Sequence, residues 1–471
     1  MNSSPSPVNG SRRKLRLLPL LATVYFMVSG GPYGLEEIIG DAGYGWAFVI
    51  LFATPFFWSL PTALMIGELA AAIPEEGGFY AWVRRALGPF WGFQEAWLSL
   101  AASVFDMAIY PTLFVTYLEH FGNWGPFLQA GHRELFVELA VVIVATVWNL
   151  RGAVSVGNGS VVMWLLGLSP FVVLITAAVW QGVHTGPAPL GPTEGHADLA
   201  AGLLVALWNY MGWDNASTIA GEVAEPQRTY PRVMVIAVLM TMATYLLPIA
   251  AVWFAGVAPD QFSTGAWVDA AQNLVGYPLA LALTLVASLD SLGNFNSLTL
   301  SYTRLPYAMA CDRLLPGALT RRLPNGVPWV SLGLCAVGWS LALGLKFDKL
   351  ITIDISLWGL SVLLEFVALV KLRFTEPDLP RPFRVPGPTG VAVALGVGPA
   401  VLVVFALWTA RADHVGPVPA ALFALATAAC GVPLYGLARW RFGPRAVAAG
   451  AADLNAAGLA TGADRPPSTR R

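Results

Sequence analysis

The sequence predicts an all-α polytopic membrane protein with about twelve transmembrane helices. The 471 residues are 56% hydrophobic and only 12% charged, whereas a soluble chain carries about 25% charged residues. The charges are gathered into short runs between apolar stretches of roughly 20 residues, the length that crosses the hydrocarbon core of a bilayer. Two interrupted helices, described below, further predict two five-helix repeats of inverted topology.

Apolar windows define the predicted helices and the organisation of the chain. Five helices form a first repeat over 15–180, five more form a second repeat over 199–371, and helices eleven and twelve follow over 389–440. An amino-terminal tail covers 1–14, and the Ala-, Gly- and Pro-rich composition of 443–471 predicts a disordered tail. The windows fall at about 18–42, 46–72, 90–120, 134–151, 158–180, 199–222, 232–257, 276–302, 328–345, 350–371, 390–410 and 418–439.

The distribution of Lys and Arg predicts the orientation in the membrane. With an even number of helices and the amino terminus inside, 23 of the 27 Lys and Arg lie in inner segments, as the positive-inside rule requires. No basic residue then lies within a predicted span. We therefore expect a multi-pass protein of the plasma membrane with both termini in the cytoplasm.

Composition and motifs exclude several other classes of protein. A net charge of −1 indicates no nucleic-acid partner, and no Cys or His cluster predicts a bound metal or another cofactor. The three cysteines are scattered, so a disulfide framework is not expected. No motif of a metalloprotease or a serine hydrolase occurs, and the chain is predicted not to be an enzyme.

The first predicted helix contains a break at V-S-G-G-P-Y-G-L-E-E. Unsatisfied backbone groups are costly in hydrocarbon, and such a break is tolerated where it is buried in protein or lines a wet cavity. Ser29, Gly30 and Gly31 are therefore predicted to bind substrate through the backbone, the alternative being a kink for packing. Glu36 and Glu37 point about 100° apart on a helix. One of them is expected to face the substrate, the alternative being a pair that stabilises the helix dipole.

The sixth predicted helix contains a second break, at A-L-W-N-Y-M-G-W-D-N-A-S-T. Asn209 and Asp214 are unfavourable on a lipid-facing helix, whereas Trp208 and Trp213 offer aromatic faces to an amine. In transporters built from inverted repeats, two broken helices meet at the bilayer midplane and hold the substrate there. These four residues are therefore candidates for substrate binding, although either tryptophan could belong to an interfacial aromatic belt.

Ten acidic residues lie in or near the apolar windows, and none has an apparent basic partner. A central charge costs about 2.5–3.5 kcal/mol on insertion scales, so these acids are expected to be protonated, hydrated or neutralised by a cationic substrate. Asp106 and Tyr110 lie four residues apart on one helix face and could receive an amine or form a simple hydrogen-bonded pair. The ten are Glu36, Glu37, Glu68, Glu95, Asp106, Glu138, Asp214, Asp290, Asp354 and Glu365.

Three motifs resemble the amino acid–polyamine–organocation transporter superfamily and occur in its order. G-E-L-A-A-A-I-P-E-E-G-G-F-Y-A-W-V-R-R-A-L-G is similar to the signature at the end of helix two, G-E-V-A-E-P-Q-R-T-Y-P to the link after helix six, and R-P-F-R-V-P to the motif before helix eleven. The first break, D-M-A-I-Y-P-T-L-F and L-E-F-V-A-L-V-K-L-R are most similar to plant-type polyamine uptake transporters and their bacterial relatives. One departure is G-N-F-N-S in helix eight, where those transporters carry acids.

The resemblance implies a LeuT-like fold and roles for individual residues. Trp208 aligns with an aromatic residue that closes over substrate, and Asp214 with a proton-sensitive acid that could also cap a half-helix. Asp290 lies a turn before the departure in helix eight and is a weaker candidate for proton coupling. Glu68 and Glu222, near the inner helix ends, are expected to have structural or gating roles. A disulfide-linked heavy chain is not expected, because 121–133 lacks cysteine.

Together these features predict a secondary active transporter that imports polyamines or amino acids with protons by alternating access. The main alternative is an amino acid permease or exchanger, for neutral or cationic amino acids, that binds the substrate carboxylate at the first break. Sodium coupling is a further alternative. The expected partners are a small amine or amino acid, protons and the lipid bilayer.

Overall fold

A computed structural model describes residues 14–29, 31–119, 124–192, 197–345, 347–412, 414–415 and 417–443. Nearly all of the two predicted tails, and Gly30 of the first break, lie outside these described residues.

The first part of the chain, up to residue 185, is helical. Helix α5 leads from a short amphipathic helix, α4, across the whole bundle. One π-helical turn, Pro55–Ser59, joins α2 to α3. The helices are α1 (Leu17–Val28), α2 (Glu36–Thr54), α3 (Leu60–Ala72), α4 (Phe79–Leu87), α5 (Pro89–Glu119), α6 (Trp124–Gln129), α7 (Arg133–Asn149) and α8 (Ala153–Thr185).

The second part is also helical, apart from a minimal hairpin of β1 (His414–Val415) and β2 (Val418–Pro419). A 3₁₀-helical segment, Trp213–Glu222, follows α9. The helices are α9 (Leu199–Asn209), α10 (Pro226–Phe254), α11 (Ala266–Leu274), α12 (Tyr277–Tyr302), α13 (Arg304–Cys311), α14 (Trp329–Ser340), α15 (Phe347–Thr375), α16 (Thr389–Thr409) and α17 (Ala420–Phe442).

Eight helical segments among the described residues are long and apolar enough to cross a membrane. The other predicted windows hold shorter helices. The two breaks cut α1 and α9 to 12 and 11 residues, and α7 and α14 have 17 and 12 residues without a break. The first and second predicted helices are separated only by Gly43, whose φ of +76° interrupts α2. A left-handed φ is easily adopted by glycine alone, so this one residue makes the turn.

Helix α5 lies at the centre of the bundle and packs against α12 and α15. The outer helices carry large apolar side chains on the protein surface, such as Trp180, Trp408 and Trp440, with 74%, 65% and 74% of their area exposed. A water-facing surface rarely carries apolar area on this scale. The protein is therefore a multi-pass membrane protein, with this surface in contact with lipid.

Candidate substrate-binding site

The first break covers residues 29–35, between α1 and α2. Ser29 adopts an extended conformation and donates its backbone N–H to the carbonyl oxygen of Tyr25, at 2.6 Å. Gly31 has a φ of +95°, and its N–H donates to the Ser29 hydroxyl at 3.3 Å. The helix restarts at Glu36, so the chain crosses the core of the bundle in a non-helical path.

The second break lies between α9 and the 3₁₀-helical segment and contacts the first break directly. Gly212 has a φ of +86°, and a Cβ atom there would lie 2.4 Å from the carbonyl oxygen of Met27. Asn209, the last residue of α9, donates from Nδ2 to the carbonyl oxygen of Gly34 at 3.4 Å. The end of α9 thus satisfies a backbone carbonyl of the first break.

A cavity of about 20 Å³ lies beside the contact between the breaks. Such a volume holds about one water molecule, so the site is closed and a substrate requires side chains to move. Five predicted site residues line it, as do five that were not singled out. The predicted ones are Ser29, Tyr110, Trp208, Asn209 and Asp290, and the others are Val28, Tyr33, Leu113, Ser291 and Asn294.

Asp290 is the single acidic residue among those that line the cavity. Its side chain is 4% exposed and accepts no hydrogen bond from the described residues. Two glycines make room for the carboxylate, since a Cβ atom at Gly167 or Gly31 would lie 3.1 Å from Oδ1 or 3.5 Å from Oδ2. A buried carboxylate without a donor can bind a cationic group or a proton.

Aromatic rings form the walls of the cavity. The Tyr110 and Trp208 rings lie 6.2 Å apart at 33°, and the Tyr33 ring contacts the edges of Tyr117 and Phe171. Aromatic faces attract ammonium groups, so the walls and Asp290 have the same preference for a cation. Tyr33 could have been recognised from the sequence as a site residue, because it lies within the first break. Ser291 and Asn294 could have been found from their spacing on α12, one and four residues after Asp290.

Glu36 and Glu37 do not line the cavity, in contrast to the expectation that one of them faces the substrate. Oε1 of Glu36 accepts hydrogen bonds from the Tyr117 hydroxyl at 2.6 Å and the Gly265 N–H at 3.2 Å. Oε1 of Glu37 accepts one from the Thr264 hydroxyl at 2.5 Å. These donors direct both carboxylates towards α5 and the loop before α11.

Asp106 lies behind the cavity wall. Its two oxygens accept hydrogen bonds from Tyr110, at 3.0 Å, and from Tyr302, at 2.9 Å. Because Tyr110 lines the cavity, Asp106 positions one wall of the cavity from outside it.

Trp213 and Asp214 are buried in the second break and do not line the cavity. The indole N–H of Trp213 donates to the carbonyl oxygen of Tyr210 at 2.8 Å, which satisfies a free carbonyl at the end of α9. Asp214 accepts a hydrogen bond from the Trp358 indole N–H at 2.9 Å. Both residues hold the break in shape, and neither lines the cavity.

Glu68 has basic partners, contrary to the expectation for the acids of the apolar windows. Arg373, on the last turns of α15, donates to both of its oxygens, and both side chains are fully buried. Arg381 lies 3.3 Å away, and the N–H of Val385 donates at 2.7 Å. The expectation failed because Arg373 lies outside the hydropathy window but inside the helix. Glu68 joins α3 to α15 and the R-P-F-R-V-P loop.

Glu222 lies at the same end of the bundle, here named the α4 end, which holds α4 and α13. Its carboxylate is paired at 2.7 Å with Arg304, whose side chain is 2% exposed. The backbone around it pairs with the chain before α1, because Leu15 donates to the carbonyl oxygen of Glu222 at 2.9 Å and accepts from Ala224 at 2.8 Å. These contacts hold the chain before α1 to the end of the 3₁₀-helical segment.

Further ion pairs cross the α4 end. Arg84 pairs with Asp312, and Arg322 with Glu76. Arg85 donates to both oxygens of Glu376 and lowers the pKa of that carboxyl. These pairs join α4 and its preceding loop to the segment after α12 and to the end of α15, so this end of the bundle is closed.

The model of the family described as "Amino acid permease" matches residues 21–430. The chain belongs to the amino acid permease family. This permease is 34% identical to the polyamine transporter PUT1 of Oryza sativa subsp. japonica over 405 residues, which cover 85% of this chain and 75% of PUT1. It is 25% identical to the serine/threonine exchanger SteT of Bacillus subtilis, over 80% of this chain and 87% of SteT.

A similar solved structure is that of MhsT in complex with L-phenylalanine. It matches 88% of this permease and 100% of the MhsT chain with a TM-score of 0.58 and 15% sequence identity. The likeness shows a shared LeuT-type helical fold. Because the family and the similar curated proteins are transporters, this permease is a membrane transporter and not an enzyme.

Proposed function

We propose that this permease is a secondary active transporter that imports polyamines with protons across the plasma membrane by alternating access. The observation that carries the proposal is the carboxylate of Asp290, buried in a cavity with aromatic walls and without a hydrogen-bond donor among the described residues. An ammonium group supplies the missing charge and donors at once. The similarity to PUT1, a polyamine transporter, supports the same class of substrate.

The proposed architecture has twelve membrane crossings, with five-helix repeats over 15–180 and 199–371, helices eleven and twelve over 389–440, and both termini in the cytoplasm. The position of the breaks supports it, since they fall in the first helix of each repeat and contact each other through Gly212. The excess of Lys and Arg in alternate loops supports the orientation, with the α4 end facing the cytoplasm.

In the proposed complex, Asp290 pairs with one ammonium group, and Trp208 and Tyr110 pack against the adjacent methylene chain and the charge. The polar groups of Ser29, Ser291 and Asn294 complete the lining. Each aromatic contact with an ammonium contributes about 0.5–2 kcal/mol. Glu36 and Glu37 have structural roles in this proposal.

The closed state of the site supports the proposal of alternating access. The cavity holds about one water molecule, and the α4 end is closed by the pairing of Leu15 with Val223 and of Glu222 with Arg304. Opening to the cytoplasm therefore requires α1 and the 3₁₀-helical segment to move away from α12 and α13. In this proposal Glu222 and Glu68 belong to the contacts that keep the inner side closed, and Asp214 and Asp290 take part in proton coupling.

An amino acid substrate is the second candidate. It is favoured by the non-helical path of the first break, since broken helices bind substrate carboxylates in transporters of this fold, and by the similarity to SteT, a serine/threonine exchanger. In this case Asp290 would bind the α-ammonium group. The polyamine and amino acid proposals therefore differ in the role of the first break, which binds a carboxylate only in the second.

Uptake by the purified protein in proteoliposomes tests the proposal. Radiolabelled putrescine, spermidine and serine are compared for the wild type, Asp290→Asn and the control Asp260→Asn, which changes an exposed acid outside the cavity. We expect putrescine or spermidine uptake that Asp290→Asn abolishes and Asp260→Asn preserves. Uptake of serine alone by the wild type favours the second candidate, and polyamine uptake that survives in Asp290→Asn contradicts the proposed site.

A further inference from the structure

Helices α5 and α15 carry acidic residues at the same spacing along their contact. Glu95 and Asp106 lie on α5, and Asp354 and Glu365 lie on α15, so each pair is separated by three helical turns and shares a helix face. Asp354 interacts electrostatically with Asp106, and Glu365 with Glu95. The two helices therefore run in opposite directions, with their acidic faces towards each other.

Asp214 of the 3₁₀-helical segment completes a buried row that we name the acid seam, comprising Glu95, Asp106, Asp214, Asp354 and Glu365. Asp214 interacts electrostatically with Glu95, Asp354 and Glu365. None of the five side chains is more than 4% exposed. The seam spans about 16 Å, which is eleven residues of helix, from the cavity wall to the α4 end.

The members of the seam differ in their hydrogen-bond partners. Asp106 accepts from two tyrosines, Asp214 from Trp358, and Oε1 of Glu95 from Ser99 and Ser361. Within the described part of the chain, neither oxygen of Asp354 and neither oxygen of Glu365 has a partner, and Oε2 of Glu95 also has none. Two complete carboxyl groups are thus buried without a donor.

No basic side chain among the described residues forms an ion pair with the seam. On α15, Lys371 is exposed and Arg373 is bound to Glu68. Tyrosines face the seam from α5 itself, at Tyr110, and from two packed helices, at Tyr302 on α12 and Tyr80 on α4. Helices α9 and α16 carry no titratable residue, and Arg439 and Arg441 of α17 are exposed.

An isolated buried carboxylate costs several kcal/mol, and neighbouring carboxylates raise that cost. The described acids also form no group that could hold a metal ion. A proton bound to Asp354 or Glu365 removes both the cost of burying a charge and the repulsion from neighbouring carboxylates, because it neutralises the group. It also turns one carboxyl oxygen into a hydrogen-bond donor.

We propose that Asp354 and Glu365 carry protons in the resting protein and that the acid seam conducts protons between the substrate cavity and the cytoplasmic end of the bundle. This inference rests on the proposed function, because it supplies the route for the coupled proton. The cavity end of the route is Asp106, which Tyr110 connects to the cavity lining. The other end is Glu95.

Two serine hydroxyls at the Glu95 end of the seam can relay a proton. The Ser361 hydroxyl donates to Glu95 at 2.7 Å and lies 2.9 Å from the Ser99 hydroxyl, and a hydroxyl both accepts and donates. In each step one carboxyl loses its proton to a neighbouring carboxylate, so the total charge of the seam is unchanged. A proton that enters at Asp106 is balanced by one that leaves from Glu95.

Infrared spectroscopy tests the first part of the inference without any substrate. The wild type at neutral pH is expected to show the carbonyl stretch of protonated carboxyl groups, and this band should lose intensity in Asp354→Asn and in Glu365→Gln. The control Asp269→Asn changes an exposed acid on α11 and should leave the band unchanged. If the wild type shows no such band, or if both seam variants keep its full intensity, the seam does not hold protons.

Transport in proteoliposomes tests conduction. With putrescine as the probe, the seam variants are expected to lose the stimulation of uptake by an inward proton gradient and to keep wild-type counterflow at equal pH. Retained stimulation in both variants would overturn the route. A wild type that moves neither putrescine nor serine contradicts the proposed function instead, and the infrared band still decides whether Asp354 and Glu365 are protonated.

Discussion

Gly212 lies so close to Met27 that a Cβ atom would be 2.4 Å from the carbonyl oxygen of Met27. This contact joins the two interrupted helices through their main chains. It also explains the residue type, because the position needs both a left-handed φ of +86° and no side chain. The fit of the two breaks to each other therefore depends on one glycine.

Gly212→Ala is expected to destabilise the protein and to impair uptake. A non-glycine residue in a sparsely populated backbone conformation costs about 1–3 kcal/mol, and the clash with Met27 adds to this. The control is Gly344→Ala, where φ is +81° but no atom lies within 4 Å of the new Cβ. Thermal unfolding in detergent should show a larger loss for Gly212→Ala, and equal losses would mean that the contact with Met27 has no energetic role.

Glu68→Gln should be among the most destabilising single changes at the α4 end. It leaves the buried guanidinium of Arg373 without its charged partner, and breaking a buried ion pair in this way costs about 3–5 kcal/mol. Glu376→Gln is the control, because its pair with Arg85 is about one-third exposed and such pairs contribute about 0–1 kcal/mol. Unfolding midpoints of the two variants give the comparison. Similar midpoints would show that the buried network contributes little.

Glu36→Gln distinguishes a structural role of Glu36 from substrate binding. Oε1 of Glu36 accepts both of its hydrogen bonds, and the amide oxygen of Gln can accept the same two. We expect near wild-type putrescine uptake in Glu36→Gln and a clear loss of thermal stability in Glu36→Ala. Loss of uptake in Glu36→Gln with unchanged stability would instead assign Glu36 to the substrate.

Trp208→Ala should weaken the apparent affinity for polyamine by the equivalent of about 0.5–2 kcal/mol, the contribution of an aromatic face to an ammonium group. Trp213 provides the control, because its side chain is fully buried and caps Tyr210 rather than lining the cavity. Trp213→Phe should change stability and leave the apparent affinity unchanged. Competition of unlabelled putrescine against labelled uptake measures both variants. An affinity change confined to Trp213→Phe would contradict the position of the site.

The membrane fold and the two breaks were predictable from the sequence because they follow from local composition. Glycines and a proline in an apolar window have few structural explanations, and polar residues such as Asn209 and Ser29 beside them indicated a cavity. The orientation of Glu36 was not predictable. It depends on a hydroxyl from Tyr117, 81 residues away, and an N–H from Gly265, 229 residues away, and no sequence pattern connects these positions.

The position of Asp290 in the cavity was not predictable from the sequence for a related physical reason. Its access to the cavity depends on the absence of side chains at Gly31 and Gly167, which belong to the first break and to α8. The partners of Glu68 were missed because a hydropathy window ends where the first basic residue begins. The helix itself continues to Thr375 and carries Arg373 into the interior.

The pairing of Leu15 with the chain at Val223 consists of main-chain hydrogen bonds. A side-chain substitution at either position leaves both donors and both acceptors in place, with the exception of proline, which has no N–H. The connection between the segment before α1 and the end of the 3₁₀-helical segment is therefore insensitive to most mutations. The residue types at these positions can therefore change while the two segments stay joined through their main chains.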